Sequence, residues 1–277
     1  MRYLVLFCAP VLLAPAYSSF QPSPAALRKL FEEELQRRRE HYGGSDLRTA
    51  QAARDLGLFL RNQGDPSAAR IALLETMRID EEALGPAARQ TLADVAELAG
   101  VSRPSDSEAL WLRAAKSPEA RIASRALASL GQLSEASGEK ADAVNFYRRA
   151  LVKEEQASGT NGALVAARLN ALAQVVDVQE GVSLLERALA ISRRQPGARH
   201  PDTATIELNL ATLRLKGERP DEAARMSREA LSIFEATLGV NHPRTIAAAK
   251  VLAKALREAG KRDEAEDLEK RLLIRGR

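Results

Sequence analysis

Cysteine is almost missing from this chain of 277 residues. The one cysteine, Cys8, lies in an apolar run near the N-terminus. If that run is removed on export, the mature chain has no thiol. Disulfide bonds, catalysis by a thiol and metal binding by thiolates are then excluded.

Aromatic residues are also scarce, at 4% of the chain, and no stretch alternates apolar with polar residues as a half-buried strand would. The composition is rich in Ala, Leu, Arg and Glu instead, which favours helix. The 41 basic and 37 acidic residues nearly balance, for a formal net charge of +4. These charges are interspersed, as on solvated helix faces. Because no basic stripe is present to neutralise phosphates, we expect no nucleic-acid partner.

Motifs that carry catalysis or bind a cofactor are missing as well. The sequence has no GxSxG, HExxH, P-loop or dinucleotide-binding glycine pattern. Two of the three histidines, His200 and His242, stand beside proline at equivalent places of a repeat, which favours a structural role. Trp111, the only tryptophan, is expected in the core. We therefore expect no enzyme, no cofactor and no metal site; an active site built from scattered carboxylates is the alternative.

Residues 1–18 are typical of a secretory signal peptide. The positive charge of Arg2 precedes about eleven apolar residues and the small-x-small sequence Ala14-Pro15-Ala16. We expect cleavage after Ala16 or Ser18. The apolar run is shorter than the roughly 20 residues of a membrane-spanning helix, so export to the periplasm or the medium is predicted. An uncleaved signal that tethers the chain to the membrane is the alternative.

The clearest pattern is a repeat with a period of 42 residues near the C-terminus. Equivalent residues are His200 and His242, Thr203 and Thr245, Ala211 and Ala253, and Ala223 and Ala265. A fixed period of this length is typical of a stacked array. Each copy has two amphipathic stretches, small residues where two helices would cross, and Gly217 or Gly260 at the turn. Pro201 and Pro243 suit the first turn of a helix.

The residues that recur most clearly are Asn209-Leu210-Ala211, Asp221-Glu222-Ala223, Ala230-Leu231, and then Gly239 with Asn241-His242-Pro243 and Thr245. This pattern resembles the tetratricopeptide repeat (TPR), in the 42-residue form found in kinesin light chains and many bacterial proteins. The resemblance implies an all-α, right-handed superhelical solenoid of helix–turn–helix repeats. The first helix of each repeat would line a concave groove. Each repeat would lean on its neighbours, because one helix pair cannot bury its apolar face alone.

Weaker matches extend the array to six repeats, the second and fourth degenerate. The small residues expected at the helix crossings are Gly57, Ala93, Gly131, Ala173, Ala211 and Ala253. Residues 25–42 have an apolar face and are expected to form a helix that covers the N-terminal end; a partner-binding or membrane-surface helix is the alternative. The predicted organisation is a signal peptide (1–18), a linker with a capping helix (19–45) and a TPR array (46–277).

The resemblance also implies which side chains face the groove. In repeats one to three they are Gln51, Arg54, Asp55, Arg61, Asn62, Gln90, Asp94, Glu97, Arg125, Ser129 and Gln132. In repeats four to six they are Asn170, Gln174, Thr205, Asn209, Thr212, Lys216, Lys250, Lys254 and Arg257. Asn209 stands where the family commonly has an asparagine that bonds a ligand's backbone.

Three lysines of this set, Lys216, Lys250 and Lys254, would be placed to hold a carboxylate. Some TPR partners of chaperones bind a carboxylate with Lys and Asn in this way. Val251 falls where another polar residue would help, so the full set is not reproduced. Lysines that only aid solubility are the alternative.

Together these features predict an exported scaffold or adaptor that binds a protein or peptide, with an acidic or C-terminal carboxylate as the preferred ligand. A self-associating module is the alternative. Its apolar surface would come from the C-terminal residues Leu268, Leu272, Leu273 and Ile274, after which no capping helix follows, and the product would be a homo-oligomer.

Overall fold

The computed structural model describes the backbone of residues 22–275 and the side chains of residues 22–271. Within that range the chain forms thirteen α-helices and no strand. They are α1 (Pro24–Tyr42), α2 (Leu47–Asn62), α3 (Pro66–Leu84), α4 (Arg89–Ala99), α5 (Pro104–Ala114), α6 (Ala120–Ala136), α7 (Lys140–Ser158), α8 (Ala163–Ala173), α9 (Val178–Ser192), α10 (Pro201–Lys216), α11 (Pro220–Leu238), α12 (Pro243–Glu258) and α13 (Arg262–Arg275). The predicted signal peptide lies outside the described residues.

After α1, the helices form six pairs, from α2 with α3 to α12 with α13, and each helix packs on the next along the chain. The all-α solenoid predicted from the sequence is therefore confirmed. The second and fourth pairs are the shortened ones, because α4, α5 and α8 have only 11 residues each. α1 packs on α2 and extends the stack at its N-terminal end.

One detail of the predicted register is wrong. Ala93 was expected at the crossing of α4 and α5, but it is only half-buried. The alanines that join Trp111 in the core are Ala96 and Ala99, one and two helical turns later. Because α4 is short, the turn at its C-terminal end lies closer to its crossing with α5 than in the other repeats. The seven-residue spacing between the crossing residue and the turn glycine therefore does not apply in repeat two. Trp111 itself is buried, as predicted.

The two histidines of the His-Pro entries cap their helices. Nδ1 of His200 accepts a hydrogen bond from the backbone N–H of Asp202, and Nδ1 of His242 accepts one from Arg244, both at 3.1 Å. A side-chain acceptor at this position satisfies a backbone donor that has no partner within the helix. The structural role predicted for both histidines is confirmed.

A second capping contact was not predicted. The hydroxyl of a buried threonine donates to the carbonyl of the glycine six residues earlier, which ends the preceding helix. This bond joins Thr49 to Gly43, Thr91 to Gly85, Thr203 to Gly197 and Thr245 to Gly239, at 2.7–2.9 Å. It holds the end of one repeat against the start of the next, so the sequence pattern Gly-x5-Thr marks four of the repeat boundaries.

The turn of the fifth repeat carries a strained residue. In three other repeats the residue seven positions after the crossing is a glycine with φ of 77–80°, namely Gly64, Gly138 and Gly260. In repeat five this position is Glu218, with φ of 58°, and not Gly217 as the sequence suggested. A side chain with a Cβ atom is disfavoured in this left-handed conformation.

Replacing Glu218 with glycine is therefore expected to raise the free energy of unfolding by about 0.5–1 kcal/mol, because relief of the strain exceeds the added chain entropy of glycine. Urea unfolding of the variant Glu218→Gly measures the change. Gly260→Ala, which creates the same strain in repeat six, should destabilise the protein by a similar amount. A Glu218→Gly variant that is less stable than the parent would contradict the argument.

The core is continuous through the last three repeats and is divided into smaller clusters in the first three. One cluster runs from Val165 on α8 to Leu268 on α13. A second surrounds Trp111, and a third lies between α1, α2 and α3. The groove described below is the surface formed by the first helices of the pairs, α2, α4, α6, α8, α10 and α12.

Candidate peptide-binding groove

The N-terminal part of the groove is built on a buried charged cluster. Arg54 on α2 binds Asp94 on α4, with Nε to Oδ1 at 2.6 Å, and Asp80 on α3, with NH2 to Oδ2 at 2.7 Å. The side chains of Arg54, Asp80 and Asp94 are 14%, 2% and 1% exposed. Arg54 and Asp94 were predicted to face a ligand. The structure places them inside the array, where they hold three helices together.

One arginine in this cluster faces two carboxylates, and this affects their protonation. Burial raises the pKa of Asp80 to about 7, and the neighbouring Asp94 carboxylate adds to the effect by bonding the protonated form and repelling the charged one. Arg54 acts in the opposite direction but does not cancel these two effects. A carboxyl group of the pair therefore binds a proton near neutral pH.

The raised pKa of Asp80 predicts that the free energy of unfolding depends on pH. Between the pKa of an unfolded aspartate, about 4, and the folded value of about 7, the folded state binds more protons than the unfolded state. The free energy of unfolding should therefore fall as the pH rises from about 4 to 7, with a slope of up to about 1.4 kcal/mol per pH unit. Asp80→Asn should remove this slope, as urea unfolding at several pH values would show; an unchanged slope would disprove the assignment. Asp142→Asn, at an exposed carboxylate, is the matched control.

Further along the groove, charges pair between neighbouring repeats. The carboxylate of Glu97 on α4 binds both Arg61 on α2 and Arg125 on α6. The guanidinium of Arg125 also lies 5.7 Å from the ring centre of Trp111. These three charged residues were predicted to face the groove. The structure brings them together, but it pairs them with one another.

A third cluster was missed by the sequence reasoning. Arg168 on α8 donates to the hydroxyl of Ser124 on α6 at 3.0 Å, and this hydroxyl donates to Glu154 on α7 at 2.8 Å. Glu154 is fully buried and occupies the same place in its helix as Asp80 does in α3, eleven residues after a buried alanine. An acidic residue inside the apolar stripe of a second helix was the available signal.

In the C-terminal part of the groove, two of the predicted residues meet. Nδ2 of Asn209 on α10 donates to Oδ1 of Asn170 on α8 at 2.8 Å. Both side chains are half-buried. This bond leaves the amide hydrogens of Asn170 and the Oδ1 of Asn209 available. The pair therefore presents a donor beside an acceptor. A peptide group offers the complementary acceptor and donor. Thr212, by contrast, donates to the carbonyl of Leu208 on its own helix.

The three predicted lysines are exposed and form few ion pairs. Lys254 lies 3.8 Å from Glu258, one turn along α12. Among the described residues, no carboxylate lies within 4.0 Å of Lys216 or Lys250, and both are exposed. Arg257 binds Glu269 on α13 at 2.6 Å, within its own repeat. The three lysines are therefore exposed positive charges on α10 and α12.

A cavity of about 340 Å³ opens beside the two asparagines, between α8, α10 and the segment that connects α9 to α10. Its lining includes Asn170, Thr205 and Ile206. Thr205 and Asn170 were predicted groove residues, whereas the cavity itself was not predicted. Its cause is an irregular end of α9.

Other kinds of site find no support in the described part of the chain. No group of three or more His, Cys, Asp or Glu side chains between residues 22 and 271 is arranged to hold a metal ion. None of the helices over residues 22–275 combines the length and the apolar character that crossing a bilayer requires.

The comparisons with known proteins agree with this architecture. Family models of the tetratricopeptide repeat match residues 49–87, 170–236 and 218–273, which together make up more than half of the chain. The chain therefore belongs to the tetratricopeptide repeat family. No curated protein sequence matches it.

Solved structures share the fold at low sequence identity. PilF of Pseudomonas aeruginosa matches with a TM-score of 0.57 and 17% identity, over 80% of this chain and 90% of that chain. The Cut9–Hcn1 hetero-tetramer of the APC/C matches with a TM-score of 0.52 and 16% identity, over 90% of this chain and 47% of that chain. TPR-like repeats of a Podosopora anserina protein assigned as a kinesin light chain match with a TM-score of 0.45 and 21% identity, over 81% and 93%. TPR folds of this kind are scaffolds for protein–protein interaction.

Proposed function

We propose that this protein is a non-enzymatic scaffold or adaptor that binds an extended, acidic peptide segment of another protein in the C-terminal part of its groove. Asn170 and Asn209 would hold the backbone of the segment. Lys216, Lys250 and Lys254 would hold an acidic side chain or a C-terminal carboxylate.

The observation that carries this proposal is the contrast between the two parts of the groove. In repeats one to three, the polar side chains of the first helices bind one another: Arg54 binds Asp94, and Glu97 binds Arg61 and Arg125. In repeats four to six the groove keeps an asparagine pair with hydrogen-bonding capacity to spare. Three exposed lysines accompany it. A ligand would replace fewer internal contacts there.

The proposal includes export. The sequence of residues 1–18 has the charge, the apolar run and the small residues of a signal peptide. In this setting the adaptor works in the cell envelope or the medium of a bacterium, after the signal is removed. Mass spectrometry of the N-terminus of the protein purified from its native compartment tests this. A mature N-terminus at residue 17 or 19 is expected, and an intact Met1 would favour the tethered form.

Affinity capture from a cell-envelope extract tests the binding site. The protein and its triple variant Asn209→Ala, Lys250→Ala, Lys254→Ala serve as parallel baits, and Lys29→Ala, Lys116→Ala provides a control at exposed lysines outside the groove. A protein retained by the parent and the control, but lost from the triple variant, is expected. Peptides from its acidic segments, made with free and with amidated C-termini, then show by fluorescence anisotropy which carboxylate is bound.

The same retained proteins on all three baits would overturn the assignment of the groove. Micromolar affinity for the peptide, about −8 kcal/mol, is expected, and the triple variant should weaken it at least about tenfold. Self-association is the second candidate. Light scattering over a range of concentrations decides it, since a monomer throughout removes that function.

A further inference from the structure

The end of α9 differs from the ends of the equivalent helices. α3, α7 and α11 have 19 residues each, whereas α9 has 15. The last turn is replaced by a π-helical turn, Arg193–Gly197, in which Gln195 is extended with φ of −157° and ψ of 116°. Pro196 explains the break, because proline has no N–H to donate and its ring clashes with the preceding turn of a helix. Residues 193–200, the α9–α10 connector, therefore leave the line of the helix.

The connector and α11 border a cavity of about 520 Å³ on the outer surface of the array, which the second helices of the pairs form. This cavity lies apart from the groove, because among the described residues α10 contributes only Glu207 to its lining. Four arginines and a second glutamate belong to the lining as well: Arg193 and Arg199 of the connector, and Arg225, Arg228 and Glu229 of α11. Positive charges outnumber negative ones, so the cavity suits an anion.

Glu207 occupies a position that is apolar in other repeats. It lies four residues before the crossing residue Ala211, and its side chain is 3% exposed. The residues at the same place in the first, third, fourth and sixth repeats are buried and apolar: Ala53, Leu127, Leu169 and Ala249. A carboxylate at this place costs stability unless its oxygens are bonded. Since the other repeats pack without a charge here, the stacking of helices does not explain the carboxylate.

Only one oxygen of Glu207 has a hydrogen-bond partner among the described residues. Nη2 of Arg193 donates to its Oε1 at 2.7 Å. The other oxygen, Oε2, is buried and has no partner, which is rare for a buried polar atom. Because Oε2 is closed to solvent, a ligand reaches it only when a neighbouring side chain moves. Arg193 is able to move, since its side chain is 47% exposed and lies at the break of the helix.

The other arginines of the cavity keep donors for a ligand. Among the described residues, no carboxylate lies within 4.0 Å of Arg199. Arg225 donates to Glu229 at 3.0 Å through one nitrogen. Arg228 likewise donates to a glutamate of α13 at 2.8 Å. A guanidinium group has five N–H donors, so each of these arginines can also bind an oxyanion.

We propose that this cavity, the Glu207 pocket, binds inorganic phosphate: Arg199 and Arg225 donate to its oxygens, and Oε2 of Glu207 accepts its O–H. Hydrogen phosphate fits both parts of the pocket, because it carries acceptors for the guanidinium groups and a donor for the carboxylate. Sulfate has a similar size and charge but no hydrogen at neutral pH, so it would place an oxygen against Oε2. This inference does not depend on the proposed peptide binding, which uses a different face of α10.

Isothermal titration calorimetry of the full-length protein with inorganic phosphate, sulfate and methyl phosphate tests the pocket. Burial raises the pKa of Glu207, against the effect of Arg193. The titrations are therefore run at about pH 8, which favours the carboxylate form of Glu207, while hydrogen phosphate keeps its proton. Methyl phosphate has lost both protons at this pH, so it separates free phosphate from a phosphorylated molecule. The parent should bind phosphate about 10–100-fold more tightly than the other two anions, as expected for one hydrogen bond to a buried charge.

Variants assign the two parts of the pocket. Glu207→Gln offers an amide hydrogen to either anion and should bind sulfate as well as phosphate. Glu207→Leu places here the residue that repeats three and four have, so it is compatible with the fold, and it should also lose the preference for phosphate. Arg199→Ala combined with Arg225→Ala should weaken phosphate binding at least about tenfold. Arg121→Ala combined with Arg262→Ala, at exposed arginines outside the pocket, should leave it unchanged.

Equal affinity of the parent for phosphate and sulfate overturns the proposal, as does the absence of phosphate binding up to about 10 mM. A preference for phosphate that persists in both Glu207 variants also overturns it, because an ion pair of Glu207 with Arg193 that is only structural would leave the preference unchanged. Methyl phosphate that binds as tightly as phosphate overturns the assignment to free phosphate. The peptide-binding groove is tested separately by affinity capture, so none of these results affects it.

Discussion

Replacing Arg54 with methionine is expected to lower the free energy of unfolding by about 3–5 kcal/mol, the largest effect of any single change considered for this chain. Among the described residues, Arg54 is the only cation within 4.0 Å of the buried carboxylates of Asp80 and Asp94. Methionine preserves much of the side-chain volume but leaves negative charge without a partner inside the array. Urea unfolding measured at pH 7.5 gives the change.

Two further variants separate the charge effect from packing. Arg54→Met combined with Asp80→Asn and Asp94→Asn should recover most of the lost stability, because no buried charge then remains. The loss for Arg54→Met alone should also be smaller at pH 5, which lies below the pKa of Asp80, so that this carboxyl group is protonated.

Arg39→Met is the matched control for this experiment. Arg39 binds Glu75 at 3.0 Å, but on the surface, so this replacement should cost no more than about 1 kcal/mol. Equal losses for the two arginine variants would mean that the buried cluster has no special role.

Gly131→Ala is expected to destabilise the protein by about 1–3 kcal/mol, although alanine is the better helix former by about 1 kcal/mol. The added Cβ atom would lie 2.6 Å from Cδ1 and Cε1 of the Tyr147 ring. That ring is 2% exposed, and its hydroxyl donates to Glu135 at 2.9 Å, so it cannot move aside freely. The crossing of α6 and α7 would have to widen. Thermal unfolding followed by circular dichroism measures the change.

Two comparisons test this account of the crossing. In the double variant Gly131→Ala, Tyr147→Leu, the alanine should cost less than it does beside tyrosine, because a smaller side chain leaves room for the Cβ atom. Gly217→Ala should be tolerated, since the nearest atom to its Cβ position is 3.5 Å away. A Gly131→Ala variant as stable as the parent would show that the two helices adjust without cost.

Much of the fold could be predicted from local sequence patterns. The six pairs follow from the 42-residue period and the recurring small residues, and the His-Pro entries predict where α10 and α12 begin. These features depend on residues close together in the chain, and helix caps and turns are decided at that range. The register error at Ala93 arose where a shortened helix broke the period.

The groove was less predictable. Arg54, Asp94 and Glu97 were placed on the correct helices, but their partners lie 26–40 residues away along the chain. Whether a charged side chain meets a ligand or a neighbouring repeat depends on how closely adjacent repeats stack. The sequence pattern of a single repeat contains no information about the distance between adjacent repeats. The pairing of Asn170 with Asn209 was equally out of reach, although both residues had been singled out.

The sequence by itself therefore determined the family, the paired helices, the positions where α10 and α12 begin and the residue types along the groove, because each follows from periodicity and local backbone preferences. Only the tertiary structure decided which polar side chains bind one another and are not free to bind a ligand. It also decided where a cavity opens. Both outcomes depend on the stacking of repeats. The break at Pro196, for example, places the segment that connects α9 to α10 opposite alanines of α8 that are more than twenty residues earlier in the chain. Contacts of that kind are set by packing in three dimensions.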